Sequence, residues 1–465
     1  MINWNGKQVV VIGAARQGTA LSRFLCNHGA KVILTDHRSF DLLHSARKSL
    51  ADLPIEWICG EHPISMLDGT DLVCLSGGVP LDLPMVVEAR SRNIPISNDS
   101  QIFLEVVPCR VIGITGSAGK TTTTTLVGRI ANESWKETGK IGKVYVGGNI
   151  GDPLINYVDE MRPEDLAVVE FSSFQLEIMT KSPEIAAVLN ITPNHLDRHN
   201  SMDAYTEAKS HLLSYQGSGD VAVLNYEDPG AWSLNQFVRG KLVIFGMEDD
   251  SKKCEGVFTK HDQVILVRPQ SEEVVLTLSE IGLRGQHNLQ NVLAACAISS
   301  TAGFSISAMR KGIIGFRGVK HRLQFVRSWG GADWYNDSIA TAPERALAAL
   351  RSFDEPIILL AGGRDKNLPW CDFVKFIIQR VDHLILFGEA ASLISDEIKS
   401  VSMELEPRPQ SIDFCPGLFQ AVQVAANVVQ PGDVVLFSPG GTSFDEFIDF
   451  EERGKCFETW VNQLP

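Results

Sequence analysis

The chain has 465 residues, 44% of them hydrophobic, with a mean hydropathy close to zero, which describes roughly three globular domains with ample core. No apolar run approaches the roughly 20 residues that span a bilayer, and the opening MINWNGKQVVVIG enters a strand with no basic leader or cleavage site. A cytoplasmic protein without membrane partners is therefore expected. The net charge of −14 disfavours non-specific nucleic-acid binding, and nine scattered cysteines without a CxxC pair argue against a disulfide framework or a zinc site.

Strand and helix signals alternate from the start: VVVIG at 9–13, a helical pattern from Thr19 to His28, KVILTD at 31–36, DLVCLSGG at 71–78 and IPISND at 94–99. They predict a small doubly wound domain over 1–109. A second domain, 110–318, opens with an apolar strand and a helix from Thr123 to Ala131. It continues through strands LAVVEFS (166–172), IAAVLNI (185–191) and VAVLN (221–225), a β-rich insert at about 256–280, and helical patterns from Asn288 to Ala302 and Ser305 to Phe316. The alternation restarts in 319–465 with PIILLAGG (356–363), HLILFGE (383–389) and DVVLFSPGG (433–441). The expected fold class is α/β in three domains: Rossmann-like, P-loop ATPase-like with a mostly parallel sheet and a small β insert, and Rossmann-like again. Ligands bind beyond the carboxyl ends of parallel strands, so the polar endings SGG, TGSAGK, EFSS, NITPNH, AGGRDK and SPGGTS mark a composite site.

The first βα turn, Gly13-Ala14-Ala15-Arg16-Gln17-Gly18, is a dinucleotide fingerprint whose second glycine has become Ala15. That glycine normally lets the backbone touch a pyrophosphate, so its loss argues against ordinary NAD binding, although Asp36 ends the second strand where a ribose-binding acid would sit. A nucleotide diphosphate held with altered geometry and a purely structural turn both remain open.

The stretch Thr115-Gly116-Ser117-Ala118-Gly119-Lys120-Thr121-Thr122 follows VIGI at 111–114 and reads as a triphosphate cradle. Glycines let backbone N–H groups converge on phosphate oxygens, the helix N-terminus adds positive potential, Lys120 supplies a cation and the Thr121 hydroxyl can ligate Mg²⁺. Ile114 stands where the longer form of this loop has its first glycine, so the loop is a shortened variant. Glu170 ends a buried strand with an acid, as in ATPases that hold Mg²⁺ beside the phosphate loop, or caps the following turn. His195, at the end of the next strand signal, is a second metal ligand or an ordinary turn histidine. Lys209 lies on an amphipathic helix from Met202 to Tyr215 and, taken alone, reads as a solvated lysine.

TGSAGKTT, VVEFSSFQLE, LNITPNHLDRH, YTEAK, GQHNLQN, His321-Arg322, NDSIATAP, AGGRDK and SPGGTSFDEF, in this order, resemble the Mur ligase family of ATP-dependent amide-forming enzymes over essentially the whole chain. Each motif is moderately specific; nine in register are very specific. The Rossmann-like domain ahead of the phosphate loop is similar to that of the glutamate-adding members, which implies peptidoglycan precursor synthesis. The implied substrates are ATP, UDP-N-acetylmuramoyl-L-alanine and glutamate, acted on by a monomer.

By the same resemblance Gly116, Ser117, Ala118, Gly119, Lys120, Thr121 and Thr122 would bind the ATP phosphates, Asn291 and Arg322 adenine and phosphates, and Asp337 the ribose. Thr121, Glu170, His195 and Lys209 would hold two magnesium ions, Lys209 as a CO₂-derived carbamate. Arg16, Gln17, Asp36, His37, Arg38, Ser76, Gly78 and Asn149 would bind the UDP substrate, and Thr341, Lys366, Ser443 and Phe450 the glutamate. The implied reaction phosphorylates the terminal alanine carboxylate and lets the glutamate amine displace phosphate. Two positions depart from the glutamate-adding pattern: Ile339 stands where lysine is frequent, and Arg364 where an acidic or neutral residue is common. They leave the glutamate carboxylates to Lys366 and Arg364, or mark L- rather than D-glutamate as substrate. A folylpolyglutamate synthetase would start close to its phosphate loop, whereas this chain spends about 110 residues first.

Overall fold

The structure is a computed structural model that describes residues 3–194, 196–248, 255–366, 368–402 and 409–465. The chain forms two compact units, residues 1–281 with 287–315, and residues 282–286 with 316–465.

The first unit carries two sheets among its described residues. One has five parallel strands, β1 (Gln8–Ile12), β2 (Lys31–Asp36), β3 (Glu56–Cys59), β4 (Leu72–Leu75) and β5 (Ile96–Ser97), in the order β3-β2-β1-β4-β5. The order reverses direction at β1, which puts the turn Gly13–Gly18 at the switch point where such sheets bind ligands. Alternate residues of β1 face opposite layers: Val9 and Val11 pack with Leu21, Phe24 and Leu25 of the helix Arg16–Asn27, while Val10 and Ile12 pack with Met85 and Val86 of the helix Pro84–Ser91.

The other sheet has nine strands: β6 (Arg110–Thr115), β7 (Val144–Gly148), β8 (Leu166–Glu170), β9 (Ile185–Val188), β10 (Val221–Asn225), β11 (Lys241–Gly246), β12 (Gly256–Lys260), β13 (Gln263–Arg268) and β14 (Ser271–Thr277). Their order is β14-β13-β12-β11-β10-β9-β6-β8-β7. Only the β12–β13 and β13–β14 pairs are antiparallel, so the β-rich insert expected at about 256–280 is an extension of the sheet edge. Strands β8 and β9 are buried along their whole length, as apolar runs without alternation require. They flank β6, which brings the ends of all three strands to one place.

In the second unit β15 (Gln324–Trp329) pairs antiparallel with β16 (Ala332–Asn336), and β17 (Ile357–Gly362), β18 (Val381–Phe387), β19 (Ser411–Cys415) and β20 (Val434–Gly440) complete a six-stranded sheet ordered β15-β16-β20-β17-β18-β19. Leu359, Leu384 and Leu436 face Leu350, Phe373 and Ile377 on one side; Ile358, Leu360 and Phe437 face Leu418, Val422 and Phe457 on the other. Each such fully buried side chain contributes about 1.5–3 kcal/mol.

Candidate active site

At the end of β6 the chain folds into a loop that other elements hold open. Asn190, past the end of β9, accepts from the Ser117 N–H through its backbone carbonyl (2.9 Å) and from the Ala118 N–H through Oδ1 (2.8 Å), and it donates from Nδ2 to the Ala118 carbonyl (3.2 Å). The Ser117 hydroxyl meets Thr192 and the Tyr205 hydroxyl at 3.0 Å. Gly119 takes a left-handed φ of +81°, and a Cβ there would lie 2.1 Å from Asn291 Oδ1, so only glycine fits between loop and helix. The helix begins at Lys120 and runs to Thr138, longer at both ends than the Thr123 to Ala131 pattern, and Gly139 at φ +66° ends it.

The side chains around this loop converge. Lys120 Nζ donates to the Gly116 carbonyl (2.9 Å) and the Ser117 carbonyl (3.3 Å). The Thr121 hydroxyl donates to Glu170 Oε2 at 2.9 Å, and Asn149 Nδ2 donates to Glu170 Oε1 at 2.9 Å. A hydroxyl and a buried carboxylate side by side form an all-oxygen donor set suited to Mg²⁺, with the remaining positions open to phosphate oxygens and water. His195 lies outside the described residues. Its near neighbour His199 is buried, with Nε2 2.9 Å from Ser173 Oγ and its ring stacked on Phe174.

Lys209 corrects the solvated reading of its helix. It is 1% exposed and donates from Nζ to the Gly116 carbonyl at 3.0 Å and to Thr115 Oγ1 at 3.4 Å, above the Tyr205 ring. Burial, followed by the Lys120 charge, pushes its amine well below the ordinary lysine value, with Glu170 pulling the other way. The helix Met202–Ser214 can carry it there because Ser201 caps the N-terminus and Leu212 and Leu213 bury in the same core.

In the first βα turn Gly13 has φ +97°, and a Cβ on Gly18 would lie 1.8 Å from the Gly13 carbonyl, so both remaining glycines are required, whereas Ala15 caps the helix in ordinary extended geometry. Asp36 is buried and fully engaged: Oδ2 accepts from the Ala14 N–H at 2.8 Å, and Arg38 donates from its N–H, Nε and Nη2 at 2.8–2.9 Å. Burial works to raise its pKa, but the Arg38 and Ala14 hydrogen bonds outweigh it and hold the carboxyl well below the usual range. Asp36 thus organises the turn. His37 stands exposed beside it, 3.5 Å away. Gln17 accepts from the Gly77 N–H (3.3 Å), Ser76 donates to the Gly13 carbonyl (2.9 Å), Arg16 reaches the Asn149 carbonyl (3.4 Å), and Arg198 donates to the Gly78 carbonyl (2.9 Å). The UDP-site expectations therefore gather on one surface with Asn149, while Asn291 sits beneath the phosphate loop, 3.4 Å from Thr123 Oγ1.

In the second unit His321 and Leu323 both take positive φ, +63° and +40°, around Arg322, a strained stretch of the kind that persists where surrounding structure imposes it. Asp337, at the end of β16, is buried and accepts from the Leu323 N–H (3.1 Å) and the Ser438 hydroxyl (2.7 Å); burial pushes its pKa up to about 7. Three loops meet above β16, β17 and β20: the Gly440 N–H donates to the Ala340 carbonyl, and Arg364 and Thr442 exchange backbone hydrogen bonds. Thr341, Lys366, Ser443 and Phe450 belong to these loops and the helix Phe450–Asn462. Arg453, which the sequence motifs did not single out, is fully buried and binds the Gly441 carbonyl and both oxygens of Ser338 at 2.9–3.1 Å. Burial lowers its pKa to about 10. Arg364 is exposed and paired with Glu389, which accepts from its Nε and Nη2 at 2.7 and 2.8 Å.

Three family descriptions match in series: Mur ligase MurD-like, N-terminal domain, over residues 7–98; Mur ligase middle domain over 114–299; and Mur ligase, glutamate ligase domain, over 321–441. The chain is 39% identical over 458 residues to the UDP-N-acetylmuramoylalanine--D-glutamate ligase of Symbiobacterium thermophilum, covering 98% of each protein. It is 39% identical over 459 residues to that of Pelotomaculum thermopropionicum, again 98% of each. Among solved structures, UDP-N-acetylmuramate-alanine ligase from Thermotoga maritima superposes with a TM-score of 0.58 at 20% identity over 98% of this chain and 99% of that one. The MurF ligase of the same organism in complex with ADP gives 0.53 at 17% over 99% and 96%. These two show the shared fold.

Proposed function

Because the chain belongs to the Mur ligase family, we propose that it is an ATP-dependent ligase that joins D-glutamate to UDP-N-acetylmuramoyl-L-alanine, releasing ADP and phosphate. The observation that carries the chemistry is the convergence of Thr121, Glu170 and buried Lys209 on one phosphate loop. The names of relatives matched over 98% of the chain favour this reading over L-glutamate addition or folate polyglutamylation. We take 1–109 as the UDP-substrate domain, 110–318 as the ATP domain and 319–465 as the glutamate domain. Among the described residues no helix is long and apolar enough to cross a membrane, and we place the enzyme in the cytoplasm with its nucleotide substrates, acting as a monomer.

A carboxylate is a poor electrophile. Loop N–H groups and Lys120 hold the ATP phosphates, and an oxygen of the alanine carboxylate attacks the γ-phosphorus, forming an acyl phosphate as the bond to ADP breaks. Magnesium held by Thr121 and Glu170, with His195 and Lys209, would neutralise the clustered oxygens during this transfer. The neutral glutamate amine then adds to the acyl carbon, the C–O bond to phosphate breaks, and a proton leaves for solvent. The lowered pKa favours the unprotonated Lys209 amine, the form that adds CO₂ with release of a proton; the carbamate so formed would place an anion beside Lys120, fit to ligate or orient a second magnesium ion. The test is phosphate release from ATP with UDP-N-acetylmuramoyl-L-alanine and D- or L-glutamate supplied separately. Release is expected only with the acceptor and D-glutamate together; no release with either enantiomer would sink the assignment.

A further inference from the structure

In doubly wound sheets a nucleotide lies across the carboxyl ends of the strands, with its phosphates over the first βα turn and its ribose at the end of the second strand. In this sheet the order β3-β2-β1 continues that line outward, from the turn Gly13–Gly18 to the end of β2 and on to the loop that follows β3. A nucleotide lying this way brings its base to Gly60, Glu61 and His62. The opposite end of the line is joined to the phosphate-loop side of the unit, where Arg16 reaches the Asn149 carbonyl.

Direct contacts tie the loop after β3 to the loop after β2. Asp36 and Cys59 are register partners, and the Gly60 N–H donates to the Asp36 carbonyl (2.9 Å) and the Arg38 carbonyl (3.1 Å). Thr35, buried and one residue before Asp36, holds its hydroxyl 2.7 Å from His62 Nδ1 and 3.3 Å from the Glu61 carbonyl. The imidazole is thereby anchored at one nitrogen, beside the strand end that carries the Asp36–Arg38 pair. Its other nitrogen, Nε2, has no hydrogen-bond partner among the described residues and is not sealed from solvent. Assigning the Thr35 proton to the nearer acceptor leaves the hydrogen of a neutral ring on Nε2. Burial favours the neutral ring by lowering its pKa, with Asp36 pulling the other way and His37 adding to the fall. Nε2–H is then a donor in want of an acceptor, and uracil offers a carbonyl oxygen at O4 where cytosine carries an amino group.

We propose that His62 is a specificity-determining substrate residue that donates from Nε2 to the uracil O4 of the UDP acceptor, with Thr35 as the residue that positions its ring. The proposal rests on the reading of the chain as a ligase with a UDP-linked acceptor. A site built to hydrogen-bond one group discriminates against an analogue that lacks it, because the buried partner is then left unpaired.

The experiment is steady-state kinetics of the full chain with ATP and D-glutamate saturating and the acceptor varied, first as UDP-N-acetylmuramoyl-L-alanine and then as its cytidine counterpart. His62→Ala should raise the KM for the UDP acceptor roughly 3- to 10-fold, with the KM values for ATP and glutamate little changed. The ratio of uridine to cytidine kcat/KM should fall by a similar factor. His62→Gln, whose side-chain N–H reaches nearly the same place, should restore part of both losses, and Thr35→Val, which frees the ring to turn, should give a smaller loss than His62→Ala. An unaltered acceptor KM in His62→Ala, beside an active parent enzyme, overturns the proposal while leaving the ligase reading intact. A raised KM with the uridine-to-cytidine ratio untouched overturns the base contact and leaves His62 as a support of its loop. A parent enzyme inert with both glutamate enantiomers overturns both readings.

Discussion

Thr121 Oγ1 lies 2.9 Å from Glu170 Oε2, joining the start of the phosphate-loop helix to the end of β8. The second Glu170 oxygen is occupied by Asn149, so the carboxylate is aimed by two donors from different elements. If this pair holds magnesium, Glu170→Ala should lower kcat at least about 100-fold, and Thr121→Ala should shift the magnesium dependence to higher concentration. Titrating activity against magnesium for both variants is the check. An unchanged magnesium midpoint would leave Glu170 as a cap for the turn after β8.

Lys209 offers a sharper chemical outcome because its amine is buried and held well below its ordinary pKa. Lys209→Ala should lose most activity, and high concentrations of acetate or formate should recover part of it by placing a carboxylate in the vacated space. Lys209→Arg should not be rescued, since the guanidinium fills the space and stays charged. In ¹³CO₂-equilibrated protein a carbamate carbon resonance should appear and vanish in Lys209→Ala. Unchanged turnover in that variant would reject the role.

The sheets were legible because β6, β8, β9, β17 and β20 are long apolar runs buried on both faces, a pattern that survives without tertiary information. Strands β3, β7, β11, β15, β16 and β19 escaped notice; in β3, β15 and β19 the residues are largely half-exposed and composition resembles a loop, whereas β11 and β16 are mostly buried but short. Among site residues the phosphate loop announced itself through Gly-Lys-Thr spacing. Lys209 did not, because nothing in a helical pattern tells which lysine lies under a neighbouring strand end. Asn190 and Arg453 were silent for a related reason. Each satisfies backbone carbonyls or N–H groups far away in sequence, and only the folded chain places those groups within reach.

Arg453 should act on stability and on glutamate together. Its guanidinium satisfies the Ser338 and Gly441 carbonyls inside the protein, so Arg453→Met leaves buried acceptors without donors, at about 1–3 kcal/mol for each. Urea unfolding should show a loss of about 3 kcal/mol in the transition of the second unit, and the glutamate KM should rise as the Ser338 and Gly441 loops loosen. A transition at the original midpoint would show that these contacts are replaceable by water.

Asp337 gives a pH signature whose sign is fixed by burial. Its folded pKa of about 7 lies above the value of 3.8 for a free side chain, so between those values the folded protein binds a proton that the unfolded chain has lost. Stability contributed by this group is therefore complete below about pH 4 and declines by about 1.4 kcal/mol per pH unit until about pH 7, after which it is flat. Asp337→Asn removes the titrating proton while keeping an oxygen to accept from the Leu323 N–H or the Ser438 hydroxyl. The difference in unfolding free energy between parent and Asp337→Asn should change by about 3 kcal/mol between pH 5 and pH 8, the parent weakening as pH rises. Parallel stability curves for the two proteins across that range would show that Asp337 is already ionised in the folded state.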